Sequence, residues 1–269
     1  MAFLVIKCGG SVLDRLPGAF FEDVLALHKE GSARPVIVHG GGPKITDLLN
    51  KLQIPSVFHD GMRVTTPAVL DVVEMVLNGT INKAIVSRLT AAGGRAIGLS
   101  GIDGCLLSAE PFQSGEPLGA VGRVAAVNTD LVHSLVDLGY IPVISPIAAD
   151  GSGRHFNVNG DMAAAALAAA LDAPLCLVSD VPGIIVEKNG RQTVLETATP
   201  ALLERLIASQ AITGGMVAKV RAALESLDCG ARAAVIMDGR RPGALLDFAN
   251  GLSVGTRIQR EVEAESHAS

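Results

Sequence analysis

Two short stretches near the amino terminus combine glycines with a lysine or a histidine in a way that suits anion chemistry: Val5-Ile6-Lys7-Cys8-Gly9-Gly10-Ser11 and Val36-Ile37-Val38-His39-Gly40-Gly41-Gly42-Pro43-Lys44. Each reads as a buried strand running into a turn whose bare backbone amides can face an anion, with a helix following. Phosphate handling is the chemistry this favours. Neither stretch is a Walker loop, and the absence of any Gly-Lys dipeptide excludes a P-loop. Lys7 ends an apolar strand, where a cation is costly to bury unless an anion meets it. From its position alone it reads equally as a snorkelling edge residue or a functional cation.

Three other clusters stand out. Asn157-Val158-Asn159-Gly160-Asp161-Met162 opens an Ala-rich helix and by itself reads as a cap, with Asn159 or Asp161 satisfying first-turn amides. Ile212-Thr213-Gly214-Gly215-Met216-Val217-Ala218-Lys219 sets a glycine pair at a helix start with a lysine one turn in. A capped helix with a solvated lysine is the plain reading, but a helix amino terminus disfavours a cation, so an anion beside it explains Lys219 better. Gly61-Met62-Arg63-Val64-Thr65 puts an arginine in a loop ahead of a helix, a position that alone reads as surface.

The elements that must position these residues follow from periodicity. Apolar strands are expected at 3–7, 36–39, 96–99, 141–145, 175–179, 233–237 and 255–258, alternating with helical patterns at 20–29, 44–52, 67–92, 128–138, 162–171, 200–209 and 216–227. This alternation predicts an α/β fold, a three-layer αβα sandwich around a largely parallel central sheet. Ligands of such sheets gather at the carboxyl ends of the strands, which assigns Lys7, Gly9, Gly10, Gly40–Gly42, Ser100, Ser145, Ser179 and Asp180 to one crevice. The segment from Gly104 to Val127 breaks the rhythm and reads as a hairpin excursion over the sheet. A junction near Asp172-Ala173-Pro174 divides the chain into an amino-terminal lobe, 1–173, and a carboxyl-terminal lobe, 174–269.

Composition narrows the function classes. A chain of 269 residues that is 49% apolar can bury one large core or two closely packed lobes. Net charge is −5, there is one Tyr and no Trp, and no basic run occurs, so a nucleic-acid partner is not expected. Cys8, Cys105, Cys176 and Cys229 lie far apart, which reads as buried, reduced thiols rather than a metal site. The longest apolar run, Met162 to Leu171, is too short to span a bilayer. No signal core precedes the first strand pattern at Phe3, so a cytoplasmic location without a membrane partner is expected. The stretch Glu261–Ser269 reads as a frayed tail.

Taken together, the motifs resemble the N-acetyl-L-glutamate kinase branch of the amino acid kinase family. The matching segments run in order: Lys-Cys-Gly-Gly-Ser from Lys7, His-Gly-Gly-Gly-Pro from His39, Gly-Met-Arg-Val-Thr from Gly61, Val-Glu-Met-Val-Leu-Asn-Gly-Thr-Ile-Asn-Lys from Val73, Gly-Leu-Ser-Gly-Ile-Asp-Gly from Gly98, Asn-Val-Asn-Gly-Asp from Asn157, Ser-Asp-Val-Pro-Gly-Ile from Ser179, Ile-Thr-Gly-Gly-Met-Val-Ala-Lys from Ile212 and Gly-Thr-Arg-Ile from Gly255. The resemblance implies ATP-dependent phosphorylation of the side-chain carboxylate of N-acetyl-L-glutamate, the second step of arginine biosynthesis. By the same resemblance Lys7 and Lys219 stabilise charge on the transferring phosphoryl group, and Asp161 holds both. Gly41, Gly42, Arg63 and Asn157 match substrate-binding positions. Gly9, Gly10, Ser179, Asp180, Val181, Gly183, Ile184, Ile212, Thr213 and Gly214 match ATP-binding positions, with Mg²⁺ carried mainly by the nucleotide phosphates.

The physics agrees with that chemistry. A carboxylate is ionised at neutral pH and needs no general base, whereas two anions must be neutralised and aligned. His39 is then most simply a packing or hydrogen-bonding residue. Gly160 departs from the family's usual alanine without removing a functional group. The first strand pattern begins at once, as in the shorter, arginine-insensitive type, and a homodimer is expected. Rival readings are a kinase of a related substrate such as carrier-linked aminoadipate, or a catalytically silent amino acid sensor on the same fold. An esterase reading of Gly251-Leu252-Ser253-Val254-Gly255 fails, because no Asp follows Ser253 and the only later histidine is His267.

Overall fold

The structure is a computed structural model that describes residues 2–188 and 191–260; the expected frayed tail lies outside the described residues. Its first strand, β1 (Phe3–Cys8), is apolar on both faces. It leads through a short turn into α1 (Gly18–Glu30), β2 (Arg34–His39) and α2 (Gly42–Lys51). A small antiparallel pair, β3 (Phe58–His59) with β4 (Met62–Arg63), precedes α3 (Pro67–Glu74). Helix α3 does not run directly into α4 (Asn82–Ala91), because a π-helical turn over Met75–Ile81 joins them. The sequence pattern predicts one helix over 67–92, since one wide turn leaves the apolar stripe nearly in phase.

Next come β5 (Ala96–Ser100), β6 (Leu107–Pro111), β7 (Val121–Val127), α5 (Thr129–Asp137) and β8 (Ile141–Ser145). The expected hairpin over 104–127 is the antiparallel β6–β7 pair. It closes into a four-stranded unit with β9 (Ile147–Ala149) and β10 (His155–Val158), two strands the sequence pattern does not announce. Helix α6 (Gly160–Ala170) leads to β11 (Leu175–Ser179). Beyond it lie the hairpin β12 (Ile185–Lys188) and β13 (Arg191–Val194), then β14 (Thr197–Ala198), α7 (Pro200–Ala208), α8 (Gly215–Asp228), β15 (Ala234–Asp238), α9 (Ala244–Ala249) and β16 (Thr256–Ile258).

The central sheet has eight strands in the order β14, β16, β15, β11, β1, β2, β8, β5. Only the β15–β16 pair is antiparallel. Strand β1 has β2 on one side and β11 on the other, both parallel to it, so the strand order reverses there and a crevice opens at its carboxyl end. Alternation along β1 divides the core. Phe3 and Val5 pack in the layer shared with α6 and α8, while Leu4, Ile6 and Cys8 pack in the layer with α1, α4 and α9. Lys7 has the parity of Phe3 and Val5, which sends it toward the α6 layer. The amino ends of both α6 and α8 lie there.

Candidate active site

A cleft of about 430 Å³ opens at that switch point. It is lined by Lys7, Gly9, Gly10, Gly40–Gly42, Arg63, Asn157, Asp161, Ser179 and Lys219 among others, so residues scattered over more than two hundred positions meet in one cavity. The two glycine turns touch backbone to backbone. A Cβ on Gly10 would come within 2.8 Å of the Gly41 Cα and nitrogen, so only glycine permits the approach.

Gly41 and Gly214 stand at the cap positions just before α2 and α8, and no side chain caps either amino terminus. Gly214 adopts φ 57° and ψ −138°, a conformation open to glycine alone. These ends leave amides and positive dipole potential facing the cleft. Helix α6 differs: Asn159 Oδ1 accepts from the amides of Asp161 at 2.8 Å and Met162 at 3.4 Å. Its cap is satisfied internally, so α6 contributes the Asp161 carboxylate to the site.

Lys7 Nζ lies 2.7 Å from Asp161 Oδ1, with both side chains largely shielded from solvent. Lys219, one turn into α8, pairs with Asp180 at 3.9 Å. Asp161, expected beside both lysines, thus pairs with Lys7, while α8 presents Lys219 toward Asp180 at the end of β11. Arg15 also reaches Asp180, at 3.6 Å.

Arg63, whose loop context by itself reads as surface, is only 6% exposed. Strand β4 turns it inward, where it donates to Ser56 Oγ, to Gly42 O at 3.2 Å and to Thr46 Oγ1 at 2.9 Å, with its guanidinium over the Phe58 ring. Burial lowers its pKa, yet an arginine stays charged at neutral pH. Asn157 Nδ2 donates to Thr65 Oγ1 at 3.1 Å, and Thr65 in turn donates to Arg63 O at 2.8 Å. Asn157 and Arg63 are thus one connected wall of the cleft.

His39 is fully buried, and burial pushes its pKa down to about 4. Asn82 Nδ2 lies 3.2 Å from Nε2, which must therefore accept, leaving the proton on Nδ1 to face Gly40 O at 3.2 Å. A neutral histidine so held braces the glycine turn and is no acid or base. Cys8 is no nucleophile either, since burial raises its thiol pKa to about 12. The thiols divide: Cys8 and Cys176 are buried, whereas Cys105 and Cys229 are exposed, against the reading of four buried thiols. Ser179 Oγ is buried at the cleft wall without a hydrogen-bond partner in the protein.

Not every expected residue enters the cavity. Ser100 bonds Asp103 and Ser145 bonds Asn78, away from the cleft, because β5 and β8 lie beyond β2 from the switch point. Ile184 and Ile212 point into the core, Gly183 packs on Thr256, and Asp180, expected in the crevice, does not line the cavity, nor do Val181, Thr213 and Gly214. A ligand could meet Ile184 or Ile212 through backbone only. Asn78 and Asn82 are supports that sequence reasoning passed over, although two asparagines four apart on an otherwise apolar helical face signal buried hydrogen bonding. Among the described residues, no cluster of three or more His, Cys, Asp or Glu side chains could hold a metal, and no helix is long and apolar enough to cross a membrane.

Residues 2–238 match the model of the amino acid kinase family. The chain belongs to that family. The acetylglutamate kinase of Oceanobacillus iheyensis is 46% identical to it over 98% of this chain and 99% of that protein. Among solved structures, smu.665 from Streptococcus mutans superposes with a TM-score of 0.81 at 28% identity, covering 96% of this chain and 99% of that one. The carbamate kinase of Giardia lamblia shares the amino acid kinase fold, with a TM-score of 0.65 at 16% identity, covering 97% and 99% of the two chains.

Proposed function

We propose that this chain phosphorylates the side-chain carboxylate of N-acetyl-L-glutamate with ATP, forming N-acetyl-L-glutamyl 5-phosphate and ADP as the second step of arginine biosynthesis. Similarity to acetylglutamate kinases along the whole chain supports the substrate. The observation that carries the mechanism is the cleft itself, which brings together two lysines, two uncapped helix ends, a buried arginine and an asparagine.

In this reading Arg63 and Asn157 grip the α-carboxylate and acetamido end of the amino acid, with Gly41 and Gly42 lending amides. Residues 1–173 form the substrate lobe and residues 174–269 the nucleotide lobe. A carboxylate oxygen forms a bond to the γ-phosphorus as the bond from that phosphorus to the β,γ-bridging oxygen breaks, and ADP leaves. No proton moves. Lys7 and Lys219 offset the charge of the two approaching anions, while Asp161 keeps Lys7 aimed into the cleft. Asp161 and Asp180 each already face a lysine, so Mg²⁺ fits as a passenger on the nucleotide phosphates, where it neutralises charge. A cytoplasmic homodimer completes the proposal, and solution mass checks the dimer.

The test is ADP release from Mg·ATP with N-acetyl-L-glutamate, L-glutamate, L-aspartate, carbamate and N-acetyl-aminoadipate, with hydroxylamine present to trap an acyl phosphate. Selective turnover of N-acetyl-L-glutamate with hydroxamate formation is expected. Preference for another acceptor, or nucleotide binding without turnover on any, would overturn the proposal.

A further inference from the structure

Behind the first glycine turn, on the side away from the cleft, lies a second cavity of about 60 Å³ bordered by Gly10, Leu13, Asp14, Phe21, Lys44 and Arg88. Val12, Leu13 and Leu16 anchor the turn in the core, but the space beside Gly10 leaves its glycine end less tightly backed, so polar contacts share in holding its shape. Part of the work is internal: Val12 and Leu13 amides donate to Gly9 O at 3.0 and 3.2 Å, and Arg15 N donates to Val12 O at 2.8 Å. The carboxyl end of the short 3₁₀ turn Leu13–Arg15 still carries carbonyls that need donors.

Arg88, on α4, supplies them. Its Nη1 donates to Leu13 O at 3.2 Å and its Nη2 donates to Leu16 O, while the guanidinium carbon lies 4.2 Å from the centroid of the Phe21 ring. A planar fork clamped on two carbonyls and stacked on a ring has little freedom, and it fixes the carboxyl-terminal half of the turn, from Leu13 to Leu16. The opposite end of the same turn presents Gly9 and Gly10 to the cleft beside Lys7. Lys44 adds a second, more exposed tie, pairing with Asp14 at 2.8 Å across the two glycine turns.

We propose that Arg88 is a positioning residue for phosphoryl transfer: it touches neither substrate nor nucleotide, but clamps the Leu13 and Leu16 carbonyls and so sets where the Gly9 and Gly10 amides meet the nucleotide phosphates. This inference rests on the nucleotide reading of the glycine turn. A displacement of about 1 Å in such a turn costs up to about a hundredfold in rate, and removing the fork relaxes the turn without emptying the cleft.

The experiment compares Arg88→Met, which keeps the apolar stem over Phe21 but no donors, with Arg88→Lys, which keeps the charge and part of the donor set. Steady-state kinetics are read for both substrates. The expected result is a loss of about tenfold or more in kcat/KM for Mg·ATP in Arg88→Met. A smaller loss is expected in Arg88→Lys, with KM for N-acetyl-L-glutamate within about twofold and partial recovery of Arg88→Met on adding millimolar guanidinium. Nucleotide kinetics within twofold of wild type, with only the melting temperature lowered, would overturn the proposal and leave Arg88 a stability residue. A wild-type protein that binds ADP but turns over none of the acceptors would instead sink the functional reading, which separates the two failures.

Discussion

Lys7 and Lys219 are chemically alike but differently held, and the difference governs what their removal should do. Lys7 is shielded and tied to Asp161 at 2.7 Å, whereas Lys219 is a third exposed and rests against Asp180 at 3.9 Å. A short pair between shielded groups fixes a cation in place, while a long, partly solvated one leaves it free to turn toward an arriving phosphate. Replacing either with alanine should lower turnover by at least about two orders of magnitude, since each removes a preorganised charge from the transferring group. Circular dichroism should show both variants folded, and wild-type-like turnover in either would defeat the assignment. The residue types and their order were readable without coordinates. The partner of Lys219 was not, because the parity of β1 and the exit direction of β11 select the carboxylate that faces it. Arg63 teaches the same lesson: its loop context suggested surface, and only the fold of β3 and β4 under Phe58 buries it.

At the scale of elements, two glycines at helix starts make opposite predictions. A Cβ on Gly160 would lie 3.6–3.8 Å from His39 O, Gly40 Cα and Pro146, an ordinary contact, in a residue already helical. Gly160→Ala should therefore stabilise the protein by about 0.5–1 kcal/mol through the entropy of the unfolded chain. Gly41 is in extended φ and unstrained, but its Cβ would fall 2.4 Å from Ile81 Cδ1 and 2.6 Å from Leu77 Cδ2. Gly41→Ala should cost about 1–3 kcal/mol by overpacking and should also raise KM by shifting the turn. Urea denaturation of both variants reads the sign directly, and a destabilised Gly160→Ala would show that the α6 start is strained. Leu77 and Ile81 reach Gly41 from the π-helical turn, which periodicity could not reveal, since one widened turn hardly changes the spacing of apolar residues.

For the whole molecule, the buried histidine makes stability depend on pH. His39 has a folded pKa of about 4 against an ordinary value of 6.5. The unfolded chain thus binds a proton between those values that the native protein refuses, so stability is present above pH 6.5 and falls as pH drops toward 4. Lowering the pH from 7 to 5 should cost the wild type about 2 kcal/mol from this group alone. His39→Gln keeps an acceptor for Asn82 without a titrating ring and should lack that increment. Taking the difference between the two proteins cancels the raised carboxyls of Asp23 and Glu225, whose burial acts with the opposite sign. Equal pH slopes in chemical denaturation would rule out His39 as the source.

From sequence alone came the parallel α/β class, most strand positions, the two glycine turns and the membership suggested by an ordered series of motifs. These are local properties, set by periodicity, by glycine's freedom and by residue chemistry. Only the tertiary structure decided that β1 stands between β2 and β11, that Asn157 arrives on a small closed strand unit, that Ile184 and Ile212 turn into the core, and that Arg88 reaches across to the first glycine turn. Each of those depends on strand order, face parity or a contact between residues distant in the chain, and no short stretch of sequence carries that information.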